Sequence, residues 1–256
     1  MKRILLVLTI ACGLVMNAAQ SQAQMLQWTD RVFASVNVTN LPKSSAELST
    51  STSSTIYGET AQFSTTQTIS AEGGVVADVS GGVRLFHNFG VGAAYTQGTK
   101  SVGSANVSAR VPHPMVYDQP RTATATVGDL NHKETMFHAF ALFMIPFSEK
   151  FDIAVFGGPS FFKLEQDTVA SPQFQEVGSP YTSIRLTTGT KTTSTQSKTV
   201  FGGGADVTYR FMKNLGVGGF VRYAKATFEV AAVEGGTKVS IPMGGFQAGG
   251  GVRIRF

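Results

Sequence analysis

The chain ends in the stretch GGVRIRF, residues 250–256, which alternates apolar and charged side chains up to its last residue. Val252, Ile254 and Phe256 are apolar, whereas Arg253 and Arg255 between them are cationic. Successive side chains of a β-strand point to opposite faces, so this alternation predicts a strand with one apolar face and one charged face. The charged face cannot lie in a dry core and the apolar face cannot lie in water. The stretch therefore requires a different environment on each of its sides.

The other end of the chain has the pattern of a secretory signal peptide. Two basic residues precede an apolar run over 4–16, and small and polar residues follow. The run is shorter than the roughly 20 apolar residues that a spanning helix needs. The small residues predict cleavage before Gln24, which makes 1–23 the signal peptide and 24–256 the mature domain. The only cysteine, Cys12, lies inside the apolar run, and apolar residues continue past it, which disfavours a lipoprotein signal. The mature chain is therefore expected to lack thiol and disulfide chemistry.

A short element of strand, tight turn and strand recurs three times, at 84–95, 145–158 and 209–223. Asn and other short polar residues at the turns are typical of hairpins. Long stretches rich in Ser, Thr and Pro lie between these elements. Three short turns alternating with four long stretches predict a single domain of eight antiparallel strands. The long stretches are 40–70, 98–132, 165–198 and 230–243, and the strands are expected near 28–39, 71–86, 89–97, 133–147, 151–164, 199–211, 215–229 and 244–256.

Aromatic residues recur at a spacing of ten on the apolar faces of four of these strands. An even spacing keeps both members of a pair on one face, and ten residues span roughly 33 Å. In a strand tilted by about 40°, this matches the ~25 Å apolar band and the two aromatic girdles of an outer-membrane barrel. The predicted girdle residues are Phe137 with Phe147, Phe151 with Phe161, Phe201 with Phe211, and Phe246 with Phe256.

Charged side chains occupy the opposite face, which would line the interior of such a barrel. Eight strands leave an interior just wide enough for side chains, and charges there are costly unless they are paired. We therefore expect the arginines to share carboxylates, with Asp152 and buried water satisfying the rest, and the network to plug the barrel. The fourth strand is an exception, because Phe140, Leu142 and Met144 face the charged side. The predicted lumen network comprises Asp78, Arg84, Asp206, Arg210, Arg222 and Arg253.

The signal peptide, the eight strands, the short turns, the long loops and the terminal GGVRIRF together resemble the outer-membrane β-barrel family of the small OmpA/OmpX-like kind. The resemblance covers the whole mature chain and implies an all-β fold, an eight-stranded antiparallel up-and-down transmembrane β-barrel in the bacterial outer membrane. It implies that the barrel-assembly machinery reads the last strand, with Val252, Ile254 and Phe256 as the assembly signal. Unlike OmpA itself, the chain is expected to lack a periplasmic peptidoglycan-binding domain, so an anchoring role is not implied.

No motif points to catalysis, a cofactor or a metal. Among the four histidines, only His138 lies within a predicted strand on its inward face, and MFHAFAL supplies no nucleophile beside it. His87 is expected in a turn, His113 in a loop, and His132 at the end of a long loop. The glycine strings are not followed by a helix, which disfavours a phosphate loop. We therefore predict a protein that is not an enzyme, with no catalytic, cofactor-binding or metal site.

The long loops are the remaining candidates for function, because loops on a rigid scaffold often carry it. The Ser- and Thr-rich stretches 51–70 and 185–199 either extend the barrel as strands or are flexible. We predict a monomer with a structural or surface-interaction role, whose partners are outer-membrane lipid, the assembly machinery and an extracellular ligand of the loops. The weak charge of +5 does not indicate nucleic acid. The alternatives are a passive channel for small or hydrophobic solutes, a lipid-modifying enzyme and a soluble lipocalin-like carrier.

Overall fold

The computed structural model describes residues 28–71, 73–169, 172–187, 191–232 and 237–256, so the predicted signal peptide and its cleavage site lie outside the described residues. The regular elements in these ranges are twelve β-strands. No helix in the described part of the chain is long and apolar enough to span a membrane. The strands are β1 (Val32–Leu41), β2 (Ser44–Ile56), β3 (Glu59–Ala71), β4 (Gly74–Phe86), β5 (Phe89–Val111), β6 (Arg121–Pro146), β7 (Phe151–Val169), β8 (Gln173–Glu176), β9 (Ile184–Thr187), β10 (Lys191–Arg210), β11 (Leu215–Ala231) and β12 (Lys238–Arg255).

Eight of these strands close into a ring in the order β5–β4–β1–β12–β11–β10–β7–β6, with β6 pairing back onto β5. All the pairings are antiparallel, and the ring is closed by β1 against β12, where Val36 lies opposite Val252. The predicted eight-stranded antiparallel barrel is confirmed. Closure satisfies the backbone groups of both terminal strands, which leaves no open edge at this level of the wall.

The three predicted short turns lie at one end of the ring, here called the short-turn end. The first joins β4 to β5 through His87 and Asn88, and His87 has a positive φ of 46°. The others span 147–150 and 211–214. Trp28 and the last residue, Phe256, lie at the same end, because the pairing of β1 with β12 begins there with Phe33 opposite Arg255.

At the other end, here called the extended end, strands replace most of the predicted loops. Two ring strands, β1 and β4, are each extended toward this end by a further strand. β2 follows β1 after Pro42 and Lys43, and β3 precedes β4. β2 and β3 form a hairpin, and β3 pairs with the outer part of β5. The alternative of strand extension is therefore the one observed for 40–70.

The prediction of a loop over 98–132 was wrong. β5 and β6 stay paired beyond the barrel, from Ala105 opposite Val127 to Val111 opposite Arg121, and only 112–120 connects them. The physical reason is a buried face of small and β-branched residues, because Ala105, Val107, Ala109 and Val111 are almost fully buried. We call the four strands β2, β3, the 105–111 part of β5 and the 121–127 part of β6 the protruding sheet. Within 165–198, β8 and β9 form a separate ribbon.

Candidate functional site: outer wall, filled lumen and protruding sheet

The outer surface of the ring is a belt of exposed valine side chains. In β1 the alternate residues Ser35, Asn37 and Thr39 point inward and are buried. Monomeric soluble proteins rarely expose contiguous apolar patches of more than a few hundred Å². The belt is therefore a surface for an apolar medium. It includes Val32, Val36, Val38, Val75, Val79, Val83, Val91, Val155, Val207, Val217, Val221 and Val252, which are 37–73% exposed.

The eight phenylalanines predicted as girdles all lie on this outer surface. Phe151 is half-buried, and the other seven are 43–80% exposed. Phe137 contacts Phe161 with ring centroids 6.0 Å apart, and Phe147 contacts Phe151 at 5.9 Å. Their action as membrane-interface anchors remains a prediction.

The interior at the level of the belt contains buried ion pairs, the first of which joins Arg222 to Asp78. The Arg222 Nη2 atom lies 3.1 Å from Asp78 Oδ2, and it also donates to Thr96 Oγ1 at 2.8 Å. Arg222 Nε donates to Gln247 Oε1 at 2.9 Å, and Asn37 Nδ2 donates to the other oxygen of Asp78 at 3.1 Å. Each charged group in this cluster is therefore compensated by an opposite charge and by neutral partners.

A second ion pair joins Arg253 to Asp206. Arg253 Nη2 lies 2.5 Å from Asp206 Oδ2, and Arg253 Nε donates to Asp206 Oδ1 at 3.2 Å. Arg253 also donates to Asn37 Oδ1, so Asn37 bridges this pair to Asp78. Thr208 Oγ1 donates to Asp206 Oδ1 at 3.0 Å.

A third ion pair lies nearest the short-turn end. Arg255 binds Asp152 with both terminal nitrogens, at 2.7 and 2.6 Å, and donates to Thr208 Oγ1 at 3.1 Å. Arg210 Nη1 lies 3.3 Å from Asp30 Oδ2. Hydrogen bonds thus run without a break from Asp78 through the second pair to Arg255, across the width of the lumen.

The predicted network and the observed one overlap but are not identical. All six predicted residues point inward, and five of them take part in ion pairs. Arg84 instead donates to the backbone carbonyl of Trp28. Sequence reasoning omitted Arg255 and Asp30 from the network. Arg255 has the same parity as Arg253, so the alternation of GGVRIRF carried the signal that would have found it.

The wall opposite the arginines is apolar. Leu142 and Met144 pack with Trp28, and Phe140 and Phe156 lie against this cluster with ring centroids 5.2 Å apart. A cavity of about 50 Å³ lies between the two walls. This is room for only a few water molecules.

The interior of the extended end contains an apolar cluster. Phe162 and Leu164 of β7, Phe228 of β11 and Ile241 of β12 meet there with Leu48, which the β2–β3 hairpin supplies. All five are at most 3% exposed. The lumen is therefore filled by charged and polar groups at one level and by hydrocarbon at the next.

The histidines have separate environments. His138 Nδ1 lies 2.7 Å from Ser160 Oγ across the β6–β7 pairing, and both side chains are buried. Sequence reasoning missed Ser160, because only the strand register brings it opposite His138. No carboxylate of the described residues hydrogen-bonds to His138, so the pair has the nucleophile and base of a triad without the third member. His132 lies beyond the exposed Phe137, toward the extended end.

His132 is held between two acceptors. Its Nδ1 lies 2.6 Å from Gln166 Oε1, and its Nε2 lies 3.1 Å from Glu134 Oε1. Burial alone would lower the pKa of His132, but the hydrogen bonds to Glu134 and Gln166 outweigh it and raise that pKa. Gln166 Nε2 donates to the carbonyl of Asp167, which fixes the orientation of the amide.

Polar contacts tie the tips of the protruding sheet to the β8–β9 ribbon. Arg121 binds Glu176 and donates to the carbonyls of Pro112 at 2.6 Å and Tyr181 at 2.9 Å. Tyr57, in the β2–β3 turn, donates to Glu176 at 3.1 Å. The Arg121 guanidinium holds the pKa of the Glu176 carboxyl below its usual range. Three chain segments are thus held together at one buried arginine.

A closed antiparallel ring with an apolar outer belt is the architecture of an outer-membrane-type β-barrel. The short-turn end of such a barrel is periplasmic and its extended end is extracellular. The fold and the outer-membrane location expected from the sequence therefore agree with the structure. No group of three or more metal-ligating side chains occurs among the described residues.

No protein-family model and no curated protein sequence matches the chain. The chain resembles the outer membrane protein OprG from Pseudomonas aeruginosa at 10% identity and a TM-score of 0.47, over 89% of this chain and 96% of that one. It resembles Ail, the attachment invasion locus protein of Yersinia pestis, at 9% identity and a TM-score of 0.36, over 88% and 100%. It resembles Neisserial surface protein A at 13% identity and a TM-score of 0.35, over 88% and 97%. These likenesses concern the fold alone.

Proposed function

We propose that this protein is a closed outer-membrane barrel that does not conduct, and that it acts at the cell surface through its protruding sheet. The observation that carries the proposal is the filled lumen. Arg222, Arg253 and Arg255 with their carboxylates occupy the periplasmic half, and the apolar cluster around Phe162 occupies the extracellular half. An eight-stranded barrel with a filled interior supports the protruding sheet at the cell surface without forming a pore.

The preformed structure of the extracellular part supports the surface role. A flexible loop pays an ordering cost when it binds, whereas a preformed surface does not. The contacts of Arg121 with Glu176, Pro112 and Tyr181 hold the sheet tips and the ribbon in one arrangement. Ligands or partners outside the cell would therefore meet a rigid surface.

Conductance separates this proposal from the channel alternative. The purified protein, inserted in planar bilayers, should give no steady current. A large, steady open-state conductance would refute the proposal and favour a passive channel. Heat-modifiable mobility of the same preparation on gels is the control that the barrel is folded.

A lipid-modifying activity is the weaker alternative, and it depends on His138 and Ser160. Their side chains are 3% and 2% exposed and point into the lumen, away from the lipid belt. We expect no phospholipid hydrolysis by the purified protein. Hydrolysis that is present in the wild type and lost in Ser160→Ala would contradict this expectation.

A further inference from the structure

The protruding sheet has two edges, and they differ in kind. The β6 edge is irregular at Asp129, whose φ is +54°, and the β8–β9 ribbon is tied beside it by Arg121 and Glu176. The β2 edge is bare: within the described ranges, β2 pairs with β3 alone. An uncovered edge presents a row of unpaired backbone donors and acceptors to a further strand.

The outer half of β2 lacks the features that usually protect an edge. Native edges are blunted by charged residues, proline or bulges. Residues 49–56 read STSTSSTI, with no charge and no proline, and the side chains over 51–55 are exposed. β12, which flanks the base of β2, does carry such features: Pro242 lacks an N–H, and Gly244 and Gly245 have positive φ.

The turn of the hairpin shows which backbone groups of β2 are free. Tyr57 and Gly58 both have positive φ, which is a type I′ turn, and Ile56 lies opposite Glu59. The closing pair of such a turn is hydrogen-bonded, and hydrogen-bonded pairs alternate along an antiparallel ladder. Ser54 and Thr52 therefore bond to β3. The N–H and C=O groups of the alternate residues Ser51, Ser53 and Thr55 point away from it.

We propose that this edge pairs with the same edge of a second copy, as an antiparallel strand pair that joins copies in two facing membranes. With a two-fold axis at Ser53, Ser51 lies opposite Thr55 of the second copy. Every opposed pair over 51–55 is then Ser or Thr, and such cross-strand hydroxyl pairs are favourable. Glu47 and Glu59, the nearest charged residues along the hairpin, lie outside the paired stretch.

Symmetry and the membrane together determine that the pair forms between membranes. Only an antiparallel ladder exchanges identical hydrogen bonds in both directions, so identical strands related by a two-fold axis pair antiparallel. Copies in one membrane are all upright, and their β2 strands all run outward. Copies in facing membranes run in opposite directions. With many copies on each surface, weak individual pairings would together give strong adhesion between the two membranes by multivalency.

The first test is a cross-link, made in detergent where no membrane restricts orientation. In the proposed pair the two Ser53 residues form a hydrogen-bonded pair with Cα atoms about 5.5 Å apart, which a disulfide can bridge. Ser53→Cys should therefore oxidise to a covalent dimer. Gln62→Cys is the matched control, because Gln62 lies opposite Ser53 on β3 and is exposed, but is one strand further from the axis. Equal yields of dimer from the two variants would overturn the proposal.

The second test uses phospholipid vesicles that carry the protein, in two populations with different dyes. Wild-type vesicles should cluster with wild-type vesicles and not with empty ones. Ser53→Pro removes the outward N–H while leaving every bond to β3, so its vesicles should lose clustering. Ser53→Ala keeps the N–H and should cluster like the wild type. Clustering of the proline variant at the wild-type level, or none by the wild type, would overturn the proposal.

This inference rests on the proposed surface role, and the two can fail separately. A conducting barrel would refute the closed-barrel function whatever the vesicles do. Non-conducting vesicles that stay apart would refute edge pairing and leave the closed barrel in place.

Discussion

At the residue scale, Asp206 shows how a single carboxylate compensates the charge of a buried arginine in the lumen. It binds Arg253 through both oxygens and accepts from Thr208, and Arg253 is 3% exposed. Removing one partner of a buried pair leaves the other charge uncompensated, which costs more than the pair contributes. The interior therefore tolerates arginine only while its carboxylates remain.

Asp206→Ala should lower the free energy of unfolding by about 3 kcal/mol, the low end of the range for a broken buried pair. The low end applies because the Asp206 side chain is 20% exposed, so water partly compensates Arg253. Denaturant unfolding in detergent, followed by gel mobility, measures the loss. The double variant Asp206→Ala, Arg253→Met removes both charges and should recover much of the stability. A double variant less stable than the single one would contradict this explanation.

His132 should make the extracellular part sensitive to pH. Its raised pKa means that the folded state binds the proton more tightly than the unfolded state does. The stabilisation is then complete below the unfolded value of about 6.5 and is lost as the pH rises through the folded pKa. Hydrogen exchange over β6 and β7 near His132 should therefore be faster at alkaline pH than at pH 6, after correction for intrinsic rates. His132→Gln should abolish this dependence, and an unchanged pH slope in that variant would refute the role of His132.

At the element scale, the terminal strand β12 closes the ring, and Phe256 is its last contact. Phe256 N donates to Val32 O at 2.9 Å and receives the reciprocal bond at 3.0 Å, while its side chain is 66% exposed. The phenyl side chain of Phe256 thus contributes little packing to the finished barrel. Its position fits the assembly signal that the family resemblance implies.

Deleting Phe256 should reduce outer-membrane yield far more than it reduces the stability of the barrel that does form. Fractionation of cells should show unassembled protein in the periplasm, and denaturant unfolding of the purified barrel should give a midpoint near that of the wild type. Phe256→Tyr keeps an aromatic ring and is the matched control. Normal outer-membrane yield of the deletion would contradict the assembly role.

Strands and faces were predictable wherever one side of the wall is apolar. In β1, β4, β10 and β12 the period-two alternation sets inward against outward residues, and the structure follows it. The extension of β5 and β6 was missed although 105–111 keeps the alternation, because the long stretch around it is rich in Ser, Thr and Pro and was interpreted as a loop. The contact of His138 with Ser160 depends on the register of the β6–β7 hairpin, which the geometry of the turn at 147–150 sets and the alternation of side chains alone does not.

At the scale of the whole molecule, two different barriers lie in series along the barrel axis. The ionic barrier is centred on Arg222 and Arg253, and the apolar barrier on Phe162 and Leu48. In the ionic barrier, packed and hydrogen-bonded side chains block the path of an ion. In the apolar barrier, an ion would have to lose its hydration shell, which costs free energy. Removal of either barrier alone leaves the other in place.

We therefore expect neither single-barrier variant to conduct. Asp206→Ala with Arg253→Ala widens the periplasmic half, but the hydrocarbon around Phe162 still excludes hydrated ions. Phe162→Ala with Leu48→Ala opens the extracellular half, but the intact Arg253–Asp206 pair still blocks the periplasmic half. Only the variant that combines all four substitutions should give steady current in planar bilayers, and gel mobility before and after heating must show that each variant is folded. A steady current from either double variant as large as that of the combined variant would mean that one barrier alone keeps the barrel closed.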